Sequence, residues 1–102
     1  MSNQSTFHSV SEKHLALLNQ YVPIVAKVHG GHHPEFHRVN EVFDVLDRKI
    51  KASGLEKPVL DEEFIVLRRI TNNYAVPSDT CGTYEAVYKM LDEMDQAYHE
   101  ET

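Results

Sequence analysis

Phe36, Val39, Phe43, Leu46 and Ile50 recur at intervals of three and four, a spacing that puts five apolar side chains on one face of a helix and leaves no period-two alternation for a strand. Pro34 can open that helix, because the first position needs no N–H donor, and Ser53 and Gly54 close it. A helix with one apolar stripe cannot bury it alone, so the rest of the chain must supply partners. Three further segments do. Leu18, Tyr21, Val25 and Val28 form a stripe that Gly30 and Gly31 terminate, one of them expected at positive φ, with Ser9 and Glu12 at capping-box spacing, Pro23 set to bend the helix and His14 one turn ahead of Leu18 on the inward face. Leu60, Phe64, Leu67 and Ile70 follow Pro58 and end at Asn72 and Asn73. Tyr84, Tyr88 or Val87, Leu91, Met94 and Tyr98 follow the start signal Pro77-Ser78-Asp79.

The spacing predicts helices over 9–29, 34–52, 58–72 and 79–100, joined by short connections, as one domain over 1–102 with residues 1–8 as a flexible lead-in. Four such helices read as an all-α, antiparallel up-down four-helix bundle, with Phe36, Phe43, Leu46, Phe64, Leu67, Tyr88 and Leu91 in one core. Sixteen acidic against ten basic residues give a net charge of -6, which disfavours nucleic acid and anionic membrane surfaces, since both demand clustered Lys and Arg. Cys81 is the only cysteine, so no disulfide forms within the chain. Met1 to Thr6 lack a basic stretch followed by an apolar run, and no window is apolar enough to span a bilayer, so a cytoplasmic location is expected. The compositional oddity is histidine: seven in all, five of them from His14 to His37.

Two stretches carry a likeness. Val28-His29-Gly30-Gly31-His32-His33-Pro34-Glu35 resembles a VHGxxHPE turn, and Thr71-Asn72-Asn73-Tyr74-Ala75-Val76-Pro77-Ser78-Asp79-Thr80-Cys81 resembles a TNNYxxPxDxC turn. In this order and spacing they are similar to the hemerythrin-like domain of the iron-sulfur cluster repair family, and the likeness continues through Thr83, Tyr88 and Leu91. It implies a hemerythrin-like bundle and a di-iron centre held by His and carboxylate ligands from all four helices.

The implied ligand set is mostly missing. The second-helix HxxxE pair would fall where Ser53-Gly54 and Glu56-Lys57-Pro58 stand, and no histidine lies between Lys57 and Glu63. His99 falls about two residues short of the family's fourth-helix histidine, and Glu101 occupies that place. The resemblance therefore implies His14, His99 and Glu101 as the residues toward iron, with His8 as a second choice on the first helix. So few donors cannot hold two irons in one chain, so iron is less expected in the monomer than none. A metal shared between two chains, with His14 or His99 meeting Glu100 or Glu101 across a dimer axis, is the third reading.

The remaining histidines read more plainly. His29, His32 and His33 crowd the first turn, and His37-x-x-x-Glu41 lies on a flank of the second stripe; His29, His33, His37 and Glu41 are candidates for adventitious metal, and a solvated His37–Glu41 pair is the simpler reading. An inward His14 needs a hydrogen-bond partner on another helix. Cys81 is expected as a small buried residue in the first turn of the last helix, and Tyr84, Tyr88 and Tyr98 as packing groups. No nucleophile triad or phosphate loop is visible, which leans away from an enzyme. The expected function, implied by the resemblance, is a role related to iron-sulfur cluster repair through iron handling or a stress response. The alternative is a metal-free helical interaction module acting on a protein partner or as a homodimer.

Overall fold

The computed structural model describes residues 6–54 and 56–100. Four helices account for most of them: α1 (Thr6–His29), α2 (Glu35–Ser53), α3 (Asp61–Thr71) and α4 (Gly82–Glu100), with no strand among the described residues. They pack into a body of 44 × 22 × 22 Å, consistent with a four-helix bundle. α1 lies against α4 and α2, and α2 against α3. Contacts descend α4 as they climb α1: Phe7 packs on Tyr98, His14 bonds Glu93 and His29 reaches Cys81 just ahead of α4.

Each boundary has a local cause. Pro34 takes a helical conformation (φ -60°, ψ -22°) immediately before α2, where its missing donor costs nothing, while Phe36 and His37 donate back to the carbonyls of His33 and Pro34. Gly54 closes α2 at φ 60°, a conformation open to glycine. α3 starts at Asp61, later than Pro58: Leu60 before it takes a non-helical conformation (φ -123°, ψ 14°), and its N–H donates to the Tyr98 phenol oxygen at 2.9 Å. Its first turn then carries Asp61, Glu62 and Glu63 and its last turn Arg68 and Arg69, matched in sign to the helix dipole. α4 starts at Gly82, later than Asp79, with the Thr80 hydroxyl donating to the Pro77 carbonyl in the preceding turn. α1 begins at Thr6, ahead of the expected Ser9 cap, and Phe7 is buried. The helix runs through Pro23.

All seven expected core residues are buried, and full burial of each stabilises the fold by roughly 1.5–3 kcal/mol. The rings gather in two groups. Phe36, Tyr84 and Tyr88 meet near the α1–α2 turn, with Tyr84 4.9 Å from Tyr88 and 5.0 Å from Phe36 between centroids. Phe7, Phe64 and Tyr98 meet at the opposite end, within 6.4 Å of one another. On α1 the expected stripe is half right: Leu18 and Val25 are buried, but Val22 and Ala26 complete the inner face, Tyr21 is half-buried and Val28 is 64% exposed. α1 is apolar on two sides, so spacing alone admits two stripes.

Candidate functional site

The two sequence motifs meet in space. His29 and His33, at the end of α1 and the start of α2, face Asp79 and Cys81 from the segment before α4. His33 Nε2 lies 3.0 Å from Asp79 Oδ1 and its Nδ1 3.2 Å from Glu35 Oε2, so a ring with hydrogen on both nitrogens donates to both carboxylates. His29 Nε2 lies 3.2 Å from Cys81 Sγ. Both imidazoles set an edge against Tyr84, at 5.4 and 5.6 Å, so one buried ring on α4 seats the two histidines. Cys81 is exposed, contrary to the buried role expected of it, because α4 begins one residue later and leaves the thiol outside the first turn.

The first turn needs its glycine for a reason other than the one expected. Neither Gly30 nor Gly31 has positive φ. A Cβ on Gly30 would sit 2.3 Å from both the Ala26 carbonyl oxygen and His37 Nε2, whereas one on Gly31 would meet nothing within 4 Å. Gly30 is thus required by close approach. His37 lies over it, and Glu41 stands exposed further along α2.

The second turn is built on three consecutive left-handed residues, Asn72, Asn73 and Tyr74, with φ of 53°, 61° and 62°. Asparagine tolerates that region; tyrosine there costs on the order of 1 kcal/mol or more. Thr71 offsets the cost by donating its hydroxyl to the Leu67 carbonyl (2.7 Å) and accepting the Tyr74 N–H (2.8 Å), while Asn73 donates to the Arg68 carbonyl at 2.8 Å. The Tyr74 phenol then donates to buried Asp95 at 2.7 Å.

Asp95 is a hub. Arg68 Nε donates to Oδ2 at 2.9 Å, and His99 Nδ1 lies 2.8 Å from Oδ1 and 2.9 Å from the Asp95 carbonyl oxygen. That pair of acceptors places the ring hydrogen on Nδ1 and leaves Nε2 to accept from Arg68 Nη2 at 3.2 Å. Burial, followed by the Asp95 bond, raises the Tyr74 pKa well above the ordinary 10.0, and burial likewise raises Tyr84, Tyr88 and Tyr98.

The residues expected toward iron separate into these networks. His14 is buried and its Nε2 lies 2.6 Å from Glu93 Oε1, the interhelical partner its position called for. His99 is held by Asp95 and Arg68, a different carboxylate on α4, and Glu101 lies outside the described residues. Among the described residues no group of three or more His, Cys, Asp or Glu side chains is arranged to hold a metal ion. Asp47 and Asp95 were not anticipated. Their signal was present: Asp47 follows Phe43 and Leu46, and Asp95 lies between Leu91 and Tyr98, each on a buried stripe where a carboxylate requires donors. For Asp47 these are Asn19 Nδ2 at 3.2 Å and Lys51 Nζ at 2.9 Å.

No described helix is long and apolar enough to cross a membrane. No family model matches the chain, and no solved structure matches it either. It is similar to the iron-sulfur cluster repair protein ScdA from two strains of Staphylococcus epidermidis, with 23% identity over 128 aligned residues covering 95% of this chain. That alignment takes in 57% of each relative's length, so the chain spans little more than half of the proteins it matches.

Proposed function

We propose that this chain forms a hemerythrin-like, antiparallel up-down bundle whose role is related to iron-sulfur cluster repair, exercised through contact with a protein partner and without a di-iron centre of its own. The likeness to the Staphylococcus epidermidis repair proteins supports the relation. The observation that carries the rest is the fate of the histidines: His14 and His99 are each engaged by a separate carboxylate of α4, and His33 is shared between Glu35 and Asp79. Ligands that already serve as hydrogen-bond partners for single carboxylates are not converging on one ion, and a di-iron site depends on several converging donors.

What the family turns retain without a cage is a shaped end of the bundle. The junction of His29, His33, Asp79 and Cys81 presents imidazole, carboxylate and thiol side by side over Tyr84, a polar surface suited to a protein partner. The test is iron analysis of the untagged chain after anaerobic reconstitution, on wild type and on His14→Ala. The expected outcome is well below one iron per chain, with no oxo-bridged absorption in either. Two irons per chain with a spectrum lost in His14→Ala would replace this reading by the iron-handling one. The relation to repair is tested separately, by adding the chain to an oxidant-damaged iron-sulfur enzyme in a cell extract and measuring recovery of its activity. No recovery above the untreated extract would remove that relation.

A further inference from the structure

We draw no further inference here: the strongest candidate, the exposed Cys81 thiol beside His29 where the segment ahead of α4 meets the end of α1, rests on a lone cysteine within the site already described, and no second observation among the described residues points to a ligand for it.

Discussion

The Tyr74 phenol donates to Asp95 at 2.7 Å from a residue whose own backbone is left-handed, so the side chain of a strained position is tied to the last helix. Tyr74→Phe keeps the ring and deletes the bond. The loss should be about 1.5–3 kcal/mol, the range for a hydrogen bond to a charged group, read as a fall in the urea midpoint at unchanged slope. A Tyr74→Phe protein as stable as wild type would mean that Thr71 alone holds the turn.

Gly30 and Gly31 should respond unequally. Gly30→Ala places a methyl against the Ala26 carbonyl oxygen and the His37 ring, and should cost about 1–3 kcal/mol. Gly31→Ala meets open space and should change stability by less than about 0.5 kcal/mol. Adding His37→Ala to Gly30→Ala should leave most of the loss in place, because the backbone oxygen remains. Thermal melts of the three variants give the answer.

High pH should unfold the chain. The phenols of Tyr74, Tyr84, Tyr88 and Tyr98 have raised pKa values in the folded state, chiefly from burial. Folding therefore favours their protonated forms, and this stability is complete below the unfolded value near 10.0 and is lost as pH climbs above it. Phenolate absorbance and helical circular dichroism, followed together, should change in one cooperative step above pH about 10. Buried phenols ionising with the helices intact would contradict the assignment.

Phe43→Ala should cost about 3–5 kcal/mol, since Phe43 is buried within the core between α2 and its neighbours. Cys81, by contrast, should react fully with a thiol reagent in native buffer, as an exposed side chain does. A thiol that labels only in denaturant would restore the buried reading of that position.

The helices were legible because their stripes are long and regular. Phe36 to Ile50 on α2 has one apolar face and one charged face, and the structure buries the face that spacing selects. α1 defeated the same reasoning at Val28, where a second apolar stripe competes with the first and only packing against α4 decides between them. The start of α3 was misread because Leu60 takes a non-helical conformation, and nothing local in Pro58 to Leu60 announces that its N–H will meet Tyr98. His14 was legible as an inward imidazole requiring a partner, but its identity as Glu93 depends on how α4 lies against α1. The glycine turn was recognised for the wrong cause, since steric approach of His37 is a tertiary fact.

Asp95 also couples one turn to a distant helix. The left-handed run at Asn72 to Tyr74 is costly by itself, and the carboxylate that holds the Tyr74 phenol stands 21 residues further along the chain. The α1–α2 turn, by contrast, carries backbone bonds between near neighbours, such as His33 N–H to the His29 carbonyl. The turn after α3 is thus held from a distance: the residue that anchors its most strained member belongs to α4, and any change that shifts α4 along its axis loosens that turn as well.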